Sequence, residues 1–154
     1  DKSGNMQYNE CQQQTGGEYM CYFAYSAVNP EAEPEDLERL AGKFPYHFRP
    51  GTRHDIKMAV AEESGAYSLT DWYCDCDFPL CEGNVQAPEL LELATQLEAL
   101  RAVRGIKCVY LCKTWAGDRN KNEETVHIED VDLPVFFAGM KTETLYRIDL
   151  YPRF

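Results

Sequence analysis

The chain has 154 residues, of which 44% are hydrophobic and 27% charged, enough for one domain with a sizeable core. Its formal charge of −11 excludes the basic footprint that non-specific phosphate binding needs, and it opposes attraction to anionic membranes. No apolar run approaches the length that spans a bilayer, and no signal-peptide pattern is visible.

Residues 1–17 are polar, with Gln12 to Gln14 and Gly16-Gly17, and read as a loose arm. The stretch before Met6 reads as a tag remnant or a stub left by processing. The remainder, 18–154, reads as a single α+β domain. Glu18 to Val28, rich in Tyr, Phe and Cys between Gly-Gly and Asn29-Pro30, predicts a largely buried strand. A helix follows. Pro34 suits a first turn, Glu35, Asp36 and Glu38 favour the N-terminal end, Leu37, Leu40 and Ala41 form a stripe, and Gly42 stops it. The stretch from Phe44 to Gly51 holds two prolines and reads as an aromatic-rich loop.

Alternation from Ile56 to Ala61 predicts a strand, Ser64-Gly65 a hairpin turn, and Ala66 to Cys74 a second strand. The segment from Cys74 to Val85 is irregular. Pro88 to Gly105 is the clearest helix, with Leu90, Leu93, Leu97, Leu100 and Val103 on one face. Ile106 to Trp115 is apolar on both faces and predicts a central strand. After a polar turn at Gly117 to Asn122, the segments Thr125–Val131, Pro134–Gly139 and Thr142–Leu150 supply two or three further strands. The expected fold is an antiparallel sheet with two helices on one face: a ferredoxin-like βαββαβ core plus those strands.

Charge is blocked along the chain. Glu31 to Glu38 holds five acids and no base, Glu62 to Glu98 nine acids and no base, and Arg101 to Lys121 six bases and one acid. Ordinary solvated surface is the plain reading. The sharper reading is an acidic face that docks a basic protein and accelerates its association. An inhibitor or immunity-type protein that occludes a basic toxin or enzyme fits this size and charge, as a monomer or small homo-oligomer.

The most distinctive stretch runs from Trp72 to Asn84, with Cys74, Cys76 and Cys81 inside eight residues. Acids beside aromatics are hot-spot material, so Asp71, Trp72, Tyr73, Asp75, Asp77, Phe78 and Glu82 are candidate partner-binding residues, with Tyr46 and Phe48 from the earlier loop. The three thiols are candidate zinc ligands, but their C-x-C-x4-C spacing departs from the usual pairs, and a fourth ligand would come from His47, His54 or Cys11. A Cys76–Cys81 disulfide and plain unbridged thiols are the alternatives. The acids of this loop lack the ordered calcium-loop series. A Cys/His catalytic site spanning the 44–54 and 72–82 loops is the enzymatic alternative. His127 reads as a surface strand residue. No nucleotide, serine-hydrolase or metalloprotease motif is present, so no cofactor is expected. Seven cysteines, several in predicted core strands, point to a reducing, cytoplasmic setting.

Overall fold

A computed structural model of the chain describes residues 21–51, 68–115 and 118–152. The expected strand at 56–61, the hairpin turn at 64–65 and the N-terminal arm lie outside these residues. The described elements form an α+β arrangement in which one mixed sheet of four strands carries helices on one face.

The sheet is built on two antiparallel partners, β1 (Tyr22–Val28) and β2 (Cys108–Trp115), in register from Tyr22 opposite Trp115 to Val28 opposite Val109. Every residue of β2 except Trp115 is buried, as its two-sided apolar pattern requires for a strand paired on both edges. Its other neighbour is the antiparallel β4 (Thr144–Asp149). Beyond it lies β3 (Asn122–His127), which runs parallel to β4.

The order β1-β2-β4-β3 is not that of the expected ferredoxin-like core. Two local departures from the expected elements accompany this order. Of the two or three further strands expected, two form; the apolar segment at 134–139, the candidate for a third, is a helix, labelled here α3 (Leu133–Ala138). Asp132 caps it by accepting a hydrogen bond from the Val135 N–H at 3.3 Å, and Pro134 sits in its first turn, where a missing N–H costs nothing. β3 and β4 thereby become the two strands of a parallel βαβ unit, whose crossover begins with a short 3-10 turn at Ile128–Asp130.

The second departure is at 68–74, expected as strand. Only Ser68 makes a bridge, to Tyr25, and the chain then bends away. The Thr70 hydroxyl accepts from the Trp72 N–H at 3.1 Å, a local bond that competes with a ladder.

The two expected helices form as α1 (Pro34–Ala41) and α2 (Pro88–Arg101). α2 ends earlier than its periodicity suggests, because Ala102 and Val103 tighten onto Ala99 and Leu100. Leu90, Leu93, Leu97 and Leu100 of α2 are fully or almost fully buried, each contributing about 1.5–3 kcal/mol. They pack with Leu37 and Leu40 of α1, Leu133 and Phe137 of α3, and Ala24, Val28, Val109, Leu111, Tyr146 and Ile148 of the sheet. On the opposite face Tyr25, Ala27, Cys108, Tyr110, Cys112 and Leu145 are buried in a second cluster. No described helix is long and apolar enough to cross a membrane.

Asn29 ties the end of β1 to the approach of β2. Its side chain donates to the Gly105 carbonyl at 3.0 Å and accepts from the Lys107 N–H at 2.7 Å. Gly105 has φ of +93°, a backbone state that disfavours any side chain. Asn29→Ala is expected to cost about 1–2 kcal/mol, because it removes both hydrogen bonds of a buried side-chain amide. Urea unfolding checks this, and a loss below about 0.5 kcal/mol would mean that the tie is dispensable.

Candidate functional site

Chain from 68 to 83 wraps the free edge of β1 and closes one end of the sheet. Its anchor is Asp75, which is buried although acids flank it in the sequence. The Asp75 N–H donates to the Tyr22 carbonyl at 2.9 Å, and its carboxylate accepts from the Ala24 N–H at 2.7 Å and the Thr70 hydroxyl at 2.5 Å. Burial pushes the Asp75 pKa up to about 6, against the opposing pull of these hydrogen bonds and of Lys113. Further along the same edge, Leu69 N–H donates to the Ala24 carbonyl and Val28 N–H to the Arg49 carbonyl, and Ser26 donates its hydroxyl to the His47 carbonyl. The edge is thus covered by loop backbone and side chains, which blocks strand addition there.

The second anchor is Lys113, whose side chain is 0% exposed on the central strand. Its Nζ donates to the carbonyls of Phe78 at 2.7 Å and Leu80 at 3.1 Å, and to Glu82 Oε2 at 3.2 Å, with the Cys76 carbonyl at 3.4 Å. Three donors on one nitrogen gather three turns of the loop around a single point. The loop then docks on the end of α3, with Cys81 N–H donating to the Phe137 carbonyl and Gly83 N–H to that of Ala138.

These anchors sort the residues read as partner-binding. Asp71 (side chain 86% exposed), Tyr73 (48%), Asp77 and Glu82 are on the surface, and Trp72 is half-buried. Asp75, Phe78, Tyr46 and Phe48 are buried, so their side chains are not presented to a partner. Phe78 takes edge-to-face contacts from Tyr46 and Trp72, each with ring centroids 5.4 Å apart. The Tyr46 hydroxyl donates to Glu92 at 3.2 Å, and burial next to that carboxylate raises its pKa.

Two adjoining depressions run beside this loop. The larger, of about 280 Å³, lies between α1, the 46–50 segment and α2, and is lined by Leu37, Leu40, Tyr46, Phe48, Gln96 and Leu100 among others. The smaller, of about 260 Å³, includes Thr70, Asp71 and Trp72, and shares His47 and Arg49 with the first. Gln96 is buried in the larger wall. It donates to the Tyr46 carbonyl at 2.8 Å, while its Oε1 has no hydrogen-bond partner among the described residues. His47 Nε2 is 2.8 Å from Asp71 Oδ1 across the smaller depression. Glu31, Glu33, Glu35 and Glu38 of the α1 region are all exposed and make no ion pair among the described residues, since Arg39 is taken by Asp36.

The thiols fall into separate places. Cys21, just ahead of β1, meets Cys74 and Cys76, and the three sulfurs lie within 4.8 Å of one another. Cys81 is not in that group, so the trio differs from the one read in the sequence by a single member. Cys11 and His54 lie outside the described residues. Burial pushes the Cys81 and Cys112 thiols up to about 12 and raises Cys108 as well, which disfavours the thiolate at each. His127 is buried, not a surface strand residue. Its Nδ1 accepts from the Glu129 N–H at 3.1 Å, and its Nε2 lies 2.7 Å from the Tyr151 carbonyl.

Sequence reasoning misses Lys113, Gln96 and Cys21. A lone lysine inside the apolar run Cys108–Trp115 is the one signal that a buried cation sits there. Gln96, on the inward side of an otherwise leucine-faced helix, is a second of that kind. Comparison with protein-family models, with curated proteins and with solved structures returns no match.

Lys113→Met is expected to lower stability by about 3 kcal/mol, because the Phe78 and Leu80 carbonyls lose a charged donor. Glu82→Gln should cost less than about 1 kcal/mol, since Glu82 is half exposed. Chemical unfolding of both variants checks the contrast, and equal losses would place the weight on the ion pair instead. Cys81 and Cys112 are expected to alkylate at neutral pH at least about a hundred-fold more slowly than an ordinary thiol. Mass-mapped labelling checks it, and fast modification of Cys81 would reinstate a nucleophile next to the loop.

Proposed function

We propose that the chain is an acidic protein-binding domain that takes a basic partner, a toxin or an enzyme, in the manner of an inhibitor or immunity-type protein. The observation that carries this reading is the group of exposed carboxylates at Glu31, Glu33, Glu35 and Glu38, none in an ion pair among the described residues, the last of which lines a largely apolar depression together with Leu37 and Leu40 of the same helix. An acidic helix beside an apolar floor suits a segment whose lysines or arginines flank aliphatic side chains. The acids speed encounter and the floor supplies contact area. Asp71, Trp72 and Tyr73 extend the surface beyond His47 and Arg49, and Asp77 lies further along the same loop. Gln96 lines the same depression, with its side-chain amide held by the Tyr46 carbonyl.

A catalytic reading has less support. The His47–Asp71 pair is suitably placed for acid–base work, but Cys74 is fully buried and the Cys81 thiol is raised to about 12.

The test uses an isotope-labelled chain titrated with an extended peptide of alternating lysine and leucine. Amide shifts are expected to concentrate in 34–50, 71–73 and around Gln96. The triple variant Glu33→Lys, Glu35→Lys, Glu38→Lys is expected to weaken binding about ten-fold or more at low salt, with an unchanged circular dichroism spectrum. An acidic peptide that shifts the same amides equally, or a triple variant that binds as well as the parent, would sink the reading.

A further inference from the structure

We propose that Cys21, Cys74 and Cys76 form a structural zinc site that fastens the loop after Ser68 to the start of β1. The three sulfurs already lie within 4.8 Å of one another, and Cys21 and Cys74 are fully buried. Thiolates around one zinc ion stand about 3.8 Å apart when each Zn–S bond is about 2.3 Å, so small side-chain rotations complete the geometry.

The convergence is enforced by the backbone. Cys74 and Cys76 flank Asp75, which is held by its own N–H on Tyr22 and by its carboxylate on Ala24. Cys21 stands next to Tyr22, so the same short piece of strand that fixes Asp75 also delivers the third sulfur. The Tyr22 N–H donates to Cys76 Sγ at 3.3 Å, the kind of outer contact that orients a metal-bound thiolate. Lys113 Nζ, near the Cys76 carbonyl at 3.4 Å, places a positive group beside a site whose three thiolates outweigh the ion's charge by one.

Three soft sulfur donors select zinc over the oxygen-seeking calcium and magnesium. A disulfide would use two of the sulfurs and leave the third against it. Cys108 and Cys112, by contrast, are dispersed among Tyr25, Ala27, Tyr110 and Leu145 in a separate apolar cluster, as inert buried cysteines are. On binding, each thiol releases its proton to solvent, and a tetrahedral site takes its fourth ligand from beyond the trio.

The experiment is native mass spectrometry and elemental analysis of the full chain, expressed with added zinc and purified under reducing conditions without chelator. One zinc ion per chain is expected. Cys76→Ser, at the partly exposed member, should lower zinc retention at least about ten-fold while the circular dichroism spectrum is kept. Cys81→Ser should retain the metal fully. Cobalt added to the zinc-stripped chain should give a thiolate charge-transfer band, absent in Cys76→Ser. Metal-free protein with all three thiols reduced, a disulfide within the trio, or undiminished zinc in Cys76→Ser would each overturn the proposal.

Discussion

The Lys113 Nζ, closed off from solvent and reaching three loop carbonyl or carboxylate oxygens within 3.2 Å, is the constraint on which the rest of this end of the molecule depends. A desolvated cation on a central strand is costly unless its donors are met. Here the acceptors come from the 78–82 loop, which has no regular secondary structure to satisfy its carbonyls internally. Each party needs the other. The strand supplies the only buried donor among the described residues with enough reach to gather successive turns, and the loop supplies what keeps the lysine tolerable. Once the loop is fastened, Phe78 is carried into the core under Tyr46 and Trp72, and the chain meets the end of α3 at Phe137 and Ala138.

The edge of β1 follows the same logic with the opposite charge. In a regular sheet, strand 66–74 would have paired there. Instead Asp75 offers one carboxylate to a backbone N–H of that edge, and Thr70 completes its solvation. A carboxylate can stand in for a strand at one position but not along a ladder, so the chain touches β1 at Ser68, Leu69 and Asp75 and bends between them. Those bends put Cys74 and Cys76 on Cys21 and leave Asp71 and Tyr73 outside. Structure and surface at this loop are set by one decision: which acid goes in.

That decision is where legibility in the sequence ends. α1, α2 and β2 are readable because periodicity, proline and glycine signals, and two-sided burial all agree there. α3 is not, since six residues are too few to show a helical period, although Asp132 and Pro134 carried a capping signal that outweighs the apolar run. Asp75 and Asp77 look alike in sequence, yet one is buried and the other exposed. Only the tertiary partners, Ala24 and Thr70, distinguish them. The same holds for Phe78, Tyr46 and Phe48, which read as exposed anchors because acids and loops surround them. The thiol cluster is legible in two members out of three, because Cys74 and Cys76 are neighbours, whereas Cys21 arrives through topology.

The excess of negative charge is best understood by separating acids that the fold consumes from those that it does not. Asp75 staples an edge, Asp132 caps α3, Glu82 completes the lysine clamp, and Glu143, in a left-handed conformation, accepts from Thr114 and the Trp115 N–H. Glu129 and Asp149 are matched by Arg101 and Arg147. Each of these has an architectural reason to be acidic. Glu31, Glu33, Glu35 and Glu38 have none among the described residues. They exceed what helix-dipole complementarity at one short helix uses, and their mutual repulsion works against the compact state. The proposed basic partner would supply the positive charge that these four lack among the described residues. Glu38, on the wall of a depression that Leu37 and Leu40 also line, is where the proposed contact would join that charge to apolar area.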